Sequence, residues 1–482
     1  MNYNIVRYVL AKLLRIEAAL LILPLTVGLI YKEAASDILA YVFTIVLLIL
    51  VSTLLYRKKL ADHHFYMREA FVIVGMSWIL LSFFGSLPFY FSGQIPNLVD
   101  CFFETSSGFT TTGSSILKDV EALSHSMLFW RSFTHVIGGM GILVFALAIL
   151  PKIPTDSLRM IKAEVPGPSF GKLVSKLSVT ARILYVIYIA MTAIVVVFLL
   201  IGGMNLFDAL IHAFGAAGTG GFSNKALSVG YYNSTYIEIV LGISMLMFGT
   251  NFNLHYLFLF GNKKDILKNE ELRWYLLIAL VAIVAISLNI QDLYGGLSSL
   301  RHSFFTVSSI ITTTGFGTAN FGAWPLFSKL ILLSLMCIGA SAGSTAGGLK
   351  VSRVVVLVKS ALTEIKRIRQ PKRIVRLTQD GRAVSEQGAL SILNYFMLYV
   401  IIVLVLILII SLDLQDLESA TSAVLATFNN IGPGLGLVGP TANYSGLSDF
   451  SKLLLSFAMI AGRLEIFPIF ILFLPATWKK IL

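Results

Sequence analysis

Charge is scarce in this sequence. Of 482 residues only 13% are Asp, Glu, Lys or Arg and 56% are hydrophobic, whereas a soluble domain carries about 25% charged residues. That shortage excludes an ordinary soluble globule, although the length alone would suit several soluble domains. Cysteine is nearly absent. Cys101 and Cys337 lie in or beside apolar segments and provide neither a disulfide framework nor a metal site. The histidines, His63, His64, His125, His135, His212, His255 and His302, show no metal-ligand spacing. No GxGxxG follows a strand and no P-loop is present, so any nucleotide control must come from a partner. No intramembrane His/Asp/Ser constellation suggests an enzyme. The formal charge of +12 would suggest nucleic acid in a soluble chain, but here the basic residues sit between apolar runs, where topology accounts for them.

Long apolar runs are what the sequence does have. A membrane-spanning helix needs about 20 mostly apolar residues. Runs at 5–30, 38–56, 70–91, 127–150, 181–202, 237–260, 274–289, 326–348, 389–411 and 452–474 predict an all-α membrane protein of ten spans. The first run carries Arg15 and Glu17 and no small-residue cleavage site, so it reads as a span, not a cleaved signal. Basic residues mark alternate loops: Arg57, Lys58, Lys59 and Arg68; Lys152, Arg159, Lys162, Lys172 and Lys176; Lys263, Lys264, Lys268 and Arg273; and the longest loop, 350–386. Ten spans put all of these and both termini on one side, which the positive-inside rule makes cytoplasmic. The opposite segments are acidic, with Asp119, Glu121, Asp292, Asp413, Asp416, Glu418 and Asp449. They are either a mouth that concentrates cations or ordinary loop polarity.

Four further segments are too short and too rich in Gly, Ser and Thr to span. Aligned on a final glycine they read DCFFETSSGFTTTG, DALIHAFGAAGTGG, HSFFTVSSIITTTG and SATSAVLATFNNIG, ending at Gly113, Gly221, Gly315 and Gly432. Each lies between two spans and reads as a re-entrant loop, entered from outside by a short helix. The unit of helix, short helix, extended segment and helix recurs four times in parallel around one axis, unlike inverted transporter repeats. Residues 1–66 form two additional spans. The repeats cover 67–151, 177–261, 272–350 and 386–482, with a basic cytoplasmic linker at 351–385. Irregular backbone at membrane depth is tolerated where protein buries it or water bathes it, and four such segments around an axis allow both. The expected ring comprises Thr111, Thr112 and Gly113; Thr219, Gly220 and Gly221; Thr313, Thr314 and Gly315; and Asn430, Ile431 and Gly432. Its carbonyls can replace a cation's hydration shell, glycine permits positive φ, and the short helices aim their negative ends inward. No charged side chain lies near these ends, which suits a monovalent ion. The bland alternative is four glycine-rich turns that only pack. Asp100 and Asp208 are expected to cap their short helices, and Gly138, Gly139 and Gly141 to permit helix packing.

GFTTTGSS, GGFS, TTTGFG, FNNIGPGLG, HVIGGMGILVFALAILP, AEVPGPS, GASAGSTAGGLK and GRLEIF together resemble the Trk/Ktr superfamily of potassium transporters, across essentially the whole chain. The two extra N-terminal spans are similar to its TrkH branch. The resemblance implies K+ as the transported ion, with Gly113 favouring it where serine accompanies sodium. Thr219-Gly220-Gly221 departs from the pattern. Arg463 lies inside an apolar run, and an ionisable group at that depth suggests a function. Glu465, at i+2, does not face it. The residue either pairs structurally elsewhere or, as the resemblance implies, projects into the pore below the filter. Residues 338–350 are too rich in glycine for a stable helix. They serve close helix packing or, by resemblance, form a gating loop at 338–349 with Gly339, Ala340, Ser341, Ala342, Gly343, Ser344, Thr345, Gly347, Gly348 and, at its end, Lys350. The linker suits solvent or anionic lipid headgroups. The resemblance implies a cytosolic ring binding NAD or ATP docked there, and a homodimer with one pore per subunit. A proton- or sodium-coupled symporter is the alternative to a channel-like pore. It would want a titratable residue at midplane, and Glu465 is the acid near Arg463.

Overall fold

The computed structural model describes residues 1–56, 67–141, 177–371 and 376–479, with side chains from 179 onward in the third stretch. Most of the basic loop expected at 56–68, with His63 and His64, the end of the span expected at 127–150, and the basic loop expected at 151–176, with the AEVPGPS motif, fall outside them. The described chain is mostly helical. Its one described sheet is a hairpin pairing Thr378–Gln379 with Arg382–Ala383.

Six described helices are long and apolar enough to cross a membrane: Tyr3–Ile30, Ala35–Leu55, Met67–Phe91, Val179–Ile201, Glu270–Asn289 and Glu386–Ile410. Their outer faces carry large apolar side chains with no protein against them, such as Val186, Val281 and Leu404. In water that would be costly; against hydrocarbon it is the expected surface.

The remaining apolar runs are not continuous helices. The runs at 127–150, 237–260, 326–348 and 452–474 begin as His125–Gly139, Thr235–Phe248, Leu326–Ile338 and Asp449–Arg463, and each helix then stops. Each helix is about 20 Å long at 1.5 Å per residue. The breaks have local causes. Gly141 and Gly339 take φ of 81° and 69°, and Glu465 and Ile466 take 58° and 70°. After Gly249 the chain turns by 96° into Phe252–Phe260. Gly141 therefore terminates its helix, its carbonyl accepting from Tyr185 Oη at 3.0 Å, and Gly138 and Gly139 pack closely. A Cβ at Gly138 would lie 1.8 Å from the Phe109 carbonyl oxygen, and one at Gly139 2.8 Å from Gly218 Cα.

Between the long and the broken helices lie four short ones, Leu98–Phe109, Leu206–Gly218, Gly296–Ile311 and Leu417–Phe428. Their C-terminal halves are buried, serines and threonines included, whereas the third and fourth begin exposed at Leu297 and Leu417. Their caps differ from expectation. Asn97, Asn205 and Asp416 accept from the first-turn amides, and the third helix follows Gly295. Asp100 and Asp208 sit in the first turn, where they complement the helix dipole; Asp208 accepts from Asn224 Nδ2 at 2.6 Å and Tyr232 Oη at 2.7 Å in its own unit, and Asp100 binds across the fold.

Those cross-fold bonds close the assembly. Lys452 of the fourth unit meets Asp100 of the first at 2.6 Å, Lys329 of the third meets Glu418 of the fourth at 2.8 Å, and Glu238 of the second meets Arg301 of the third at 2.6 Å. Each joins a short helix to the broken helix of the preceding unit, so the four units follow one another in a circle. At the opposite end the starts of the helices at Tyr3 and Met67 meet the last described residues: Tyr3 Oη donates to Trp478 O at 2.6 Å, and Arg68 Nη1 to Lys479 O at 3.2 Å.

Candidate functional site

The four segments after the short helices share one backbone. Thr112, Gly220, Thr314 and Ile431 each donate a backbone N–H to the residue five positions back, all at 2.8 Å. Two positions before the glycine, Thr111, Thr219, Thr313 and Asn430 have φ of 56°, 56°, 56° and 58°, and the glycines have 82°, 72°, 85° and 100°. A β-branched residue at positive φ is uncommon and costs of order 1–3 kcal/mol. The conformation recurs in register four times, on three threonines and one asparagine, which makes it a feature of the fold. Left-handed residues alternating with ordinary ones turn successive carbonyls to one side of the strand. The repeat also settles the register of the departing second segment: Gly221, not Gly220, matches the other three glycines.

The segments meet in a closed ring. A Cβ at Gly113 would lie 2.1 Å from Gly220 O, one at Gly221 2.0 Å from Thr314 O, one at Gly315 2.0 Å from Ile431 O, and one at Gly432 2.7 Å from Thr112 O. Every glycine is therefore pressed on the carbonyl of the next unit, in the order one, two, three, four, one. Among the described residues those four carbonyls, of Gly220, Thr314, Ile431 and Thr112, accept no hydrogen bond. An acceptor left unmade costs roughly 1–3 kcal/mol when buried, so a ring of four calls for water or a cation to pair them.

Side chains differ around this common backbone. Thr110 and Thr112 share a hydroxyl bond of 2.7 Å, and Thr312 and Thr314 one of 2.8 Å. Asn430 Nδ2 reaches Thr112 Oγ1 at 3.0 Å and Met459 O at 2.9 Å. The Gly432 carbonyl is occupied, accepting from Ser114 Oγ at 3.0 Å and Tyr444 Oη at 2.9 Å.

Residues 339–350 form an irregular loop against one side of the ring. Ser341 N donates to Gly249 O at 3.1 Å and Thr345 Oγ1 to Phe248 O at 3.2 Å, both at the break of the second unit. Gly347 N donates to Thr313 Oγ1 at 2.7 Å, so the loop touches an expected ring residue directly. Lys350, at φ 79°, donates its Nζ to Ala346 O. Glu271 Oε1 accepts from Ala342 N at 2.7 Å and Ser352 N at 3.1 Å. Arg463 is buried, with Nη1 donating to Thr345 O at 2.6 Å and Nη2 to Gly138 O and Gly139 O at 2.6 and 2.7 Å. One guanidinium thus joins the fourth unit's break, the first unit's break and the loop. Glu465 does not pair with it; it pairs with Arg353 at 2.6 Å.

Two buried charges here were not singled out from sequence. Arg131 Nε lies 2.6 Å from Glu104 Oε1, and its Nη1 donates to Ser223 O at 3.0 Å. Glu104 also accepts from Ser115 Oγ and Ile116 N, both at 2.9 Å. The pair therefore holds the chain just past the first and second glycines. The test that flagged Arg463, an ionisable residue within an apolar run, also selects Arg131. Several expected outer acids are engaged in structure. Glu121 accepts from Ala226 N at 3.2 Å and Glu418 from Lys329. Asp416 is held below its ordinary carboxylate value by the Ser419 hydroxyl and amide.

The family described as TrkH, cation transport protein, matches residues 39–480. The "Trk system potassium uptake protein TrkH" of Salmonella typhimurium is 36% identical over 489 residues, covering 100% of both chains. The "Trk system potassium uptake protein TrkG" of Escherichia coli K12 is 32% identical, covering 95% of each. The crystal structure of the potassium transporter TrkH from Vibrio parahaemolyticus superposes with a TM-score of 0.89 at 31% identity, covering 99% of this chain and 100% of that one.

Proposed function

Because the chain belongs to the TrkH family of cation transport proteins, a transport family and not an enzyme family, we propose that it takes up potassium across a bacterial cytoplasmic membrane through a channel-like, K+-selective pore gated from the cytoplasmic side. The observation that carries this reading is the closed ring at Gly113, Gly221, Gly315 and Gly432, with its unpaired carbonyls. In this reading the ten spans and four re-entrant loops surround one pore, and the twelve residues from Thr111 to Gly113, Thr219 to Gly221, Thr313 to Gly315 and Asn430 to Gly432 are its filter.

Neutral backbone oxygens replace the water that a monovalent cation sheds on entry. Short-helix C-termini at Phe109, Gly218, Ile311 and Phe428 add negative potential beside the ring. The ring's closeness to neighbouring backbone keeps its size fixed, which supports discrimination by fit. Below it, the loop from Gly339 to Gly348, Lys350 and Arg463 act as the gate. The Arg463 charge opposes cation occupancy by repulsion, and release of its bonds to Thr345, Gly138 and Gly139 frees the loop.

The partners of the proposed system are a cytosolic nucleotide-binding ring and a second copy of the chain. The ring's dock is the basic helix Val351–Arg369, which leaves Leu362, Ile365 and Ile368 exposed beside Lys366, Arg367 and Arg369. Both termini then face the cytoplasm.

Current through the reconstituted protein tests the reading. Reversal at the potassium Nernst potential, unmoved by an imposed pH or sodium gradient, is the expected result. A reversal potential that follows either gradient would replace the passive pore with a coupled symporter.

A further inference from the structure

Three ring segments carry a side chain immediately before the glycine: Thr112, Thr314 and Ile431. The second has Gly220 instead. The missing volume is filled from a different unit. His135, on helix His125–Gly139 of the first unit, is fully buried. A Cβ at Gly220 would lie 2.4 Å from its Nδ1 and 2.5 Å from its Cγ and Cε1. The imidazole and a side chain at 220 therefore compete for one space.

The same ring is hydrogen-bonded at both nitrogens. Phe222 N–H, one residue past Gly221, donates to Nε2 at 3.3 Å, and Nδ1 lies 2.8 Å from Gly108 O. A backbone N–H can only donate, so Nε2 accepts and Nδ1 carries the proton that Gly108 O receives. The Phe222 ring lies 4.4 Å from the imidazole by centroid, and Arg131 lies 3.5 Å over that ring. One neutral histidine thus connects the end of the first short helix to the chain leaving the second glycine.

The fourth unit shows the counterpart. Gly138 and Gly462 occupy matching places, each with a Cβ position 1.8 Å from the last carbonyl of a short helix, Phe109 or Phe428. Three residues earlier stand His135 and Met459, both fully buried. By the circular order, the segment following the fourth unit is the first, where Thr112 supplies its own side chain. Histidine goes with the bare glycine, and methionine with the branched residue.

We infer that His135 is a positioning residue for the second filter segment: its imidazole replaces the side chain absent at Gly220 and, through the Phe222 amide, fixes the placement of the Gly220 and Gly221 carbonyls. This rests on the reading of the ring as a cation filter. The test is the potassium-to-sodium permeability ratio of reconstituted protein. Loss of one backbone hydrogen bond with its packing lowers the ratio in His135→Ala roughly fivefold. Gly220→Ala alone lowers it too, because the new methyl meets the imidazole. The double variant H135A/G220A recovers the packing share of the loss, because the methyl enters the emptied volume while the Phe222 amide stays unpaired. His135→Gln, which keeps a donor and an acceptor, stays closer to the parent than His135→Ala. A ratio unchanged in His135→Ala, or a double variant no better than either single one, overturns the inference. If His135→Ala fails to accumulate in the membrane, accumulation of the double variant supports it and absence of both overturns it. Gly113→Ser separates the two levels. A shift there with none in His135→Ala defeats the positioning role alone; no shift in either defeats the filter itself.

Discussion

The ring and the region beneath it are built on opposite plans. In the ring, four units unlike in sequence repeat the same φ values and the same 2.8 Å amide bonds. Beneath it the described residues differ from unit to unit: the third unit contributes an irregular loop and the fourth a buried arginine. Backbone symmetry appears where a cation must be surrounded evenly, and side-chain individuality where one site must be held or released. Tandem units could diverge everywhere except where carbonyls from all four share one ligand.

The sharpest way to break this contrast is at a ring glycine. Gly315→Ala drives a methyl to 2.0 Å from Ile431 O at a residue with φ of 85°. Strain and overpacking together cost up to about 6 kcal/mol, so potassium-selective current should vanish. Retained selective current would deny the ring its role. The next largest effect lies just behind it. Arg131→Met leaves Glu104 buried without its partner, a loss of about 3–5 kcal/mol, readable as a lowered unfolding midpoint in detergent. A midpoint unchanged by Arg131→Met would show the pair to be incidental. Below the ring the expected sign reverses. Arg463→Ala removes a repelling charge worth about 1 kcal/mol in a watery path and should raise flux several-fold; an unaltered rate would remove Arg463 from the path. The smallest effect belongs to the rim. A double-mutant cycle on Lys329 and Glu418 should give only about 0.2–1 kcal/mol, and a larger coupling would mean that ring closure depends on its outer clasps.

The repeats were legible because their composition differs sharply from the spans around them, and TTTG, GTGG, TTTG and NNIG align on one glycine. The helix breaks were not. Apolar residues resume after the breaks, as at 256–260 and 466–474, so hydropathy averaged over a window shows one span where the helix stops. The bend of 96° falls at Gly249-Thr250-Asn251, three residues too few to lower the hydropathy of the whole run. Ion-pair partners were hidden by distance along the chain: Asp100 and Lys452 are 352 residues apart, and Arg353 and Glu465 are 112 apart. Asp100 and Asp208 drew attention as caps because acids favour first turns. The side chains that accept the first amides, Asn97 and Asn205, stand three residues earlier. The gap at Gly220 was visible as a departure from pattern, but its cause lies on another unit and becomes apparent only when His135 is seen in the same space.

One contact gives the two plans a common currency. The bond from Gly347 N to Thr313 Oγ1, 2.7 Å long, belongs to both the loop and the ring. Linkage is reciprocal: if seating the loop biases how Thr313 holds an ion, an ion at Thr313 biases how long the loop stays seated. External potassium would then act as an effector as well as cargo, and dwell times of the closed state should change with its concentration at constant voltage. Dwell times indifferent to potassium would mean that this bond carries no message between the two.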